Sequence, residues 1–209
     1  KDIKLFSKLS LSRGQDTFGL FFSKEENEYV YKINTNPQEA LKREDFQKFL
    51  NPIFSNSFKE KSFSIVGQTR LVTNGTKFLP ENNQPIITKN LIGVHNGIVV
   101  DQENEKQILK QNQEGYNVKS DSLILFEKLN EYFLKDKENF LLNYKNYLEK
   151  IEGNYSIACR VPPLKLNFLS SNCGSLYYAA SNNYLFFASE KNILENFILK
   201  SALKLDLKN

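Results

Sequence analysis

The only histidine of this 209-residue chain stands in the run LIGVHNGIVV, residues 91–100, where His95 is followed by an amide and a glycine between apolar residues. The Asn96 side-chain amide and the Gly97 backbone N–H, side by side at the end of a strand, can both point at one developing negative oxygen. Each such donor contributes a few kcal/mol in a transition state. Asn-Gly is equally the commonest hairpin pair, so a turn that breaks the strand accounts for the same residues. Arg70, in GQTRLVTNG, sits at a strand end just ahead of a loop. It is either solvated there or grips a carboxylate through two parallel hydrogen bonds. Asp121 in KSDSL has the chemistry that capping and the helix dipole favour at a helix start. Arg13-Gly14 in SRGQD reads as a glycine turn between a helix and a strand.

Other chemistries find little support. Two cysteines, Cys159 and Cys173, and one histidine at these spacings make no zinc site. Cys159 alternates inside YSIACRV as a small buried hydrophobe, and Cys173 lies in a turn with no histidine nearby. With no signal-peptide pattern and no disulfide framework, the expected compartment is the cytoplasm. No segment approaches the roughly 20 apolar residues that cross a bilayer. The net charge of +4, from 28 basic and 24 acidic residues, is dispersed rather than gathered on one element, which argues against nucleic acid as a partner.

Apolar periodicity supplies the elements that must position these residues. KDIKLFSKLSLS spaces Ile3, Phe6, Leu9 and Leu11 as one helical face that ends at Arg13-Gly14. TFGLFFS and EYVYKIN pair as strands across an acidic turn, and Pro37 opens a helical stretch carrying Ala40, Leu41, Phe46, Phe49 and Leu50. SFSIVGQTRLV is a strand. TNGTKFLPENNQP, residues 73–85, is a loop longer than a tight turn needs. A polar helix is expected from about Gln102 to Gln113. Another begins near Ser120, with Leu125, Leu129 and Phe133 inward, and a third covers ENFLLNYKNYLEKI. Four β-rich runs follow, NYSIACRV, LKLNFLS, SLYYAAS and YLFFAS, and the chain closes on a helix from about Glu190. Strands before and after a block of helices suggest a single α+β domain over residues 1–209, with two sheets and helices outside them.

In order along the chain, SRGQDTFGL, VGQTRLVTNG, NNQP, GVHNGIV, SDSLIL, IEGNYSIAC and GSLYYA with FFASE resemble the class II glutamine amidotransferases, the glutaminase domains of the N-terminal-nucleophile hydrolases. The resemblance runs over essentially the whole chain. It implies the four-layer αββα sandwich of two mostly antiparallel sheets. It also implies hydrolysis of the glutamine side-chain amide to glutamate and ammonia, with no cofactor and no metal. Asn96 and Gly97 match the family's oxyanion hole. Arg70 matches the residue that holds the α-carboxylate of glutamine, with Thr73 in the adjoining substrate loop. Asp121, helped by Gly97, matches the acid that holds the α-ammonium, and Arg13 and Gly14 match a motif shaping the pocket near the nucleophile.

The departures set further expectations. Family members begin with a cysteine whose thiolate attacks the amide, whereas residue 1 here is Lys1 and the chain has no methionine. A first strand beginning Cys-Gly, removed from the sequence, is therefore expected upstream. Leu71 stands where some members have Trp, and Gln68 where His is common. The implied partners are glutamine, a synthase domain or subunit that receives ammonia, and a second copy of the chain in a homo-oligomer; no membrane is implied. RGQD and SDS resemble the sugar-aminating and phosphoribosyl branches, so a sugar or sugar phosphate is the expected acceptor. A different reading keeps the same fold as a nucleophile-less module that binds an amino acid or docks a partner.

Overall fold

The computed structural model describes residues 1–24, 27–54, 62–71, 80–100, 120–201 and 203. Strand β1 (Thr17–Lys24) is central to a three-stranded sheet, antiparallel to β2 (Asn27–Ile33) on one side and β3 (Phe63–Arg70) on the other. A second antiparallel sheet has the order β4-β5-β6-β7, over Ile86–Ile87, Ile92–Val100, Glu152–Val161 and Leu166–Ser171. Strands β8 (Tyr177–Ala180) and β9 (Leu185–Ala188) form a hairpin of their own. The helices are α1 (Asp2–Leu9), α2 (Pro37–Ala40), α3 (Glu44–Phe54), α4 (Asp121–Lys135), α5 (Phe140–Leu148) and α6 (Lys191–Lys200).

The two-residue period of the strands separates the apolar side chains into layers. Phe18 and Leu20 of β1 pack with Ala40, Leu41 and Phe46 beneath α2 and α3. Phe21, from the opposite face of β1, meets Val66, Ile92, Val94 and Ala158 between the two sheets. On the far face of the second sheet, Val99, Tyr155, Ile157, Cys159 and Val161 lie against α4 and α5. Helix, sheet, sheet, helix is thus the order of layers, as the motifs imply. Leu125, Leu129 and Phe133 are fully buried, each contributing about 1.5–3 kcal/mol of transfer free energy.

Two expectations change. The stretch opened by Pro37 is two helices interrupted at residues 41–43, and Arg43, in the interruption, binds Asp45 of the second helix at the surface. The strand does not break at His95-Asn96-Gly97. Both flanks of Asn-Gly pair with β6, from Ile92 opposite Arg160 to Val100 opposite Glu152, whereas a hairpin turn requires the flanks to pair with each other. The helix expected at residues 102–113 lies outside the described residues, as does Thr73. No helix among the described residues is long and apolar enough to cross a membrane.

Candidate active site

Strand β5 carries the site along its outer edge, which is mostly free of other strands among the described residues. β4 pairs with it only at Ile92 and Gly93, and beyond that point side chains take the place of a neighbouring strand. Gln84 binds His95 twice: its Oε1 accepts from the His95 N–H and its Nε2 donates to the His95 carbonyl, both at 2.7 Å. Four residues further on, the Asp121 carboxylate accepts from the Val99 N–H at 3.2 Å. In an antiparallel strand alternate residues turn their N–H to the same edge, so the Gly97 N–H points to this edge too, between the places held by Gln84 and Asp121. Gly97 has φ 137°, and a Cβ there would lie 2.0 Å from the Asn154 carbonyl oxygen. Only glycine keeps the ladder closed at that position.

Arg70, at the end of β3, and Asp121, at the start of α4, are each only 8% exposed. Asn82 ties Arg70 to Ser120, the residue that precedes Asp121. The Asn82 carbonyl accepts from Arg70 Nη1 at 3.2 Å, while the Asn82 side chain accepts from the Ser120 N–H at 2.6 Å. Asn83 adds a contact to the same Arg70 nitrogen at 3.4 Å, and Lys32 of β2 donates to the Pro80 and Asn83 carbonyls. Desolvation is the largest influence on the Arg70 guanidinium and lowers its pKa, against the pull of Asp121 and Asp16. The capping role belongs to Ser120, whose hydroxyl accepts from the Leu123 N–H. The Asp121 carboxylate reaches the Ser122 and Val99 N–H groups instead.

His95 points away from the inter-sheet space and is buried, its Nδ1 3.0 Å from the Ser122 hydroxyl. Burial drives its pKa below the usual value, opposed by the Asp121 carboxylate and the Asn154 backbone. A neutral imidazole at neutral pH follows. It braces β5 against α4.

Arg13 ends a 3-10 turn after α1, and Gly14 packs so closely on β3 that a Cβ would lie 2.2 Å from the Arg70 carbonyl carbon. From there the Arg13 guanidinium reaches Asn96 Oδ1 at 3.3 Å and Glu190 at 2.8 Å. Gln68 donates to the His95 carbonyl at 3.5 Å, and Leu71 is exposed. Burial raises the Cys159 thiol pKa. At Cys173 desolvation is the largest single influence and raises the pKa, but hydrogen bonds from Ser156, Ser175 and Ser171 together bring the thiol down to about 7. Among the described residues no group of three His, Cys, Asp or Glu side chains could hold a metal ion.

The structure thus brings Arg13, Gly14, Arg70, Asn96, Gly97 and Asp121 into one connected region. Reasoning from single residues passed over Asn82, Asn83, Gln84, Ser122 and Glu190. Their only signals were the motifs NNQP, SDS and FFASE, which carried no roles.

Comparison with known proteins adds to this geometry. A family model described as a glutamine amidotransferase domain matches residues 68–196. The chain is 29% identical over 150 residues to glutamine–fructose-6-phosphate aminotransferase (isomerizing) of Buchnera aphidicola subsp. Acyrthosiphon pisum, covering 69% of this chain and 22% of that protein. Among solved structures, the glutamine phosphoribosylpyrophosphate amidotransferase of B. subtilis in complex with ADP and GMP superposes with a TM-score of 0.60 at 20% identity, over 92% of this chain and 40% of that one. A structure described as the allosteric regulatory enzyme of purine biosynthesis superposes with the same TM-score and identity over 93% of this chain and 40% of its own. The chain therefore spans less than half the length of each of these relatives.

Proposed function

The chain belongs to the glutamine amidotransferase domain family, and on that premise we propose that it binds glutamine between Arg70 and Asp121 and hydrolyses the side-chain amide. Arg70 takes the α-carboxylate and Asp121 the α-ammonium, and Thr73, three residues on from Arg70 in sequence, joins in binding the substrate. A zwitterion needs one cation and one anion near each other, and the observation that supports the reading is that Arg70 and Asp121 are both buried and close enough for the Asp121 charge to act on the guanidinium, with Asn82 tying Arg70 to Ser120, the residue before Asp121. The attacking thiolate comes from a cysteine upstream of Lys1, activated by its own α-amino group.

In the first step the thiolate sulfur bonds to the amide carbon, and the carbonyl electron pair moves onto oxygen. Asn96 Nδ2 and the Gly97 N–H stabilise that oxyanion, each by a few kcal/mol. The intermediate collapses as the C–N bond breaks and the nitrogen leaves as ammonia with a proton from the α-amino group. Water then cleaves the thioester to glutamate. The ammonia passes to an acceptor in a synthase domain, and the relative acting on fructose-6-phosphate favours a sugar phosphate in that role.

The test is glutamate release by the full-length protein. Asn96→Ala should lower turnover by roughly 10²–10³-fold and move glutamine affinity far less, because the donor serves the transition state. A full-length protein that binds glutamine and releases no glutamate is a binding module of the same fold, and the hydrolytic reading is then wrong.

A further inference from the structure

We propose that Arg13 and Glu190 are positioning residues that fix which end of the Asn96 amide faces the substrate, an inference that rests on the oxyanion role given to Asn96 above. A side-chain amide is nearly symmetric in shape, and its terminal torsion has two broad wells half a turn apart. In one flip Nδ2 offers protons to a negative oxygen. In the other a carbonyl oxygen faces that charge and repels it. Strand pairing through the backbone does not choose between them.

Arg13 does. A guanidinium carries donors and no acceptor, so Arg13 Nη2 at 3.3 Å admits only the flip in which Asn96 turns Oδ1 toward it and Nδ2 away. That contact is long, and a flexible arginine alone would hold it loosely. Glu190 anchors the other guanidinium nitrogen at 2.8 Å. Two details fit this anchoring role. Glu190 occupies the N-cap position of α6, and its side chain makes no cap hydrogen bond there, so the carboxylate is turned to Arg13. The Arg13 main chain is also fixed, because Gly14 is pressed against the Arg70–Leu71 backbone. Both charged side chains are 36% exposed, so the pair contributes little to stability. What it supplies is orientation, across 177 residues of chain.

The experiment compares Glu190→Gln and Arg13→Ala in the full-length protein, each alone and in the Asn96→Ala background. Each single change should lower kcat for glutamate release by roughly tenfold, short of the loss caused by deleting the donor. The KM for glutamine should stay within about twofold, and Tm should fall by no more than about 4 °C. In the Asn96→Ala background neither change should lower kcat further, since two residues that act through a third lose their effect once it is gone. Equal losses in both backgrounds overturn the proposal, as does a raised KM with kcat preserved. The Asn96 side-chain NH2 resonances, identified by their disappearance in Asn96→Ala, give a readout independent of turnover. They should move in both variants, and unmoved resonances overturn the proposal even with an active enzyme. A wild-type protein without glutaminase activity sinks the hydrolytic reading instead, and the resonances then decide the amide orientation alone.

Discussion

Replacing Gln84 with Leu removes the side chain that stands in for a strand along β5. The His95 N–H loses its acceptor and the His95 carbonyl its short donor, both bonds being 2.7 Å. The Ser122 hydroxyl loses a longer contact at 3.3 Å. Gln68 Nε2 remains near the carbonyl at 3.5 Å, too far to replace what is lost, and Gln84 supplies the acceptor among the described residues. A buried backbone group left unsatisfied costs about 1–3 kcal/mol, so two orphaned groups predict a loss of about 2–6 kcal/mol. That is a large part of the ~5–15 kcal/mol that holds a typical domain folded. Urea denaturation should show a lower midpoint with an unchanged m-value. Native-state hydrogen exchange should show the His95 amide losing protection relative to its β5 neighbours. A loss below about 1 kcal/mol with the His95 amide still protected would refute the idea that Gln84 completes this edge.

The remaining predictions concern the residues around that edge. Gly97→Ala puts a methyl 2.0 Å from the Asn154 oxygen at a φ of 137°; it should cost more than about 2 kcal/mol in thermal denaturation, and an unchanged Tm would show that β5 and β6 separate freely there. Arg70→Ala should raise the KM for glutamine by one to two orders of magnitude, roughly the 1.5–3 kcal/mol of a charged contact. It should also lower stability, because the Asn82 carbonyl and the Asn83 side chain each lose the contact from Arg70, and an unchanged KM would make Arg70 structural. His95 has a folded-state pKa below its usual 6.5, so between those values the unfolded chain binds the extra proton. Its contribution to stability is therefore complete above pH 6.5 and is lost as pH falls from there through the folded-state value. In a Cys173→Ser background, which removes the thiol titrating at about 7, the urea midpoint should fall from pH 6.5 to about 5, and His95→Gln should flatten that slope. A midpoint that rises on acidification contradicts the burial argument.

The sequence by itself determined most of the described elements and the family. Strand and helix periods are local, so Phe18, Leu20 and Phe21 divide between faces and Leu125, Leu129 and Phe133 turn inward wherever their elements are placed. The order of short motifs likewise survives without coordinates, and it pointed to Arg70, Asn96, Gly97 and Asp121. What only the tertiary structure decided is how those residues are held. Asn-Gly reads as a turn locally, but the partner strand β6 lies more than fifty residues away in sequence, and pairing with it keeps β5 continuous. NNQP reads as loop chemistry, yet its three polar residues bind Arg70, Ser120 and His95, each from a different element. Glu190 reads as the first residue of a helix. Its carboxylate instead binds an arginine at the other end of the chain, and that pairing has no local signal because hydrogen-bond geometry between distant elements is set by the packing of the layers, not by any spacing in the sequence.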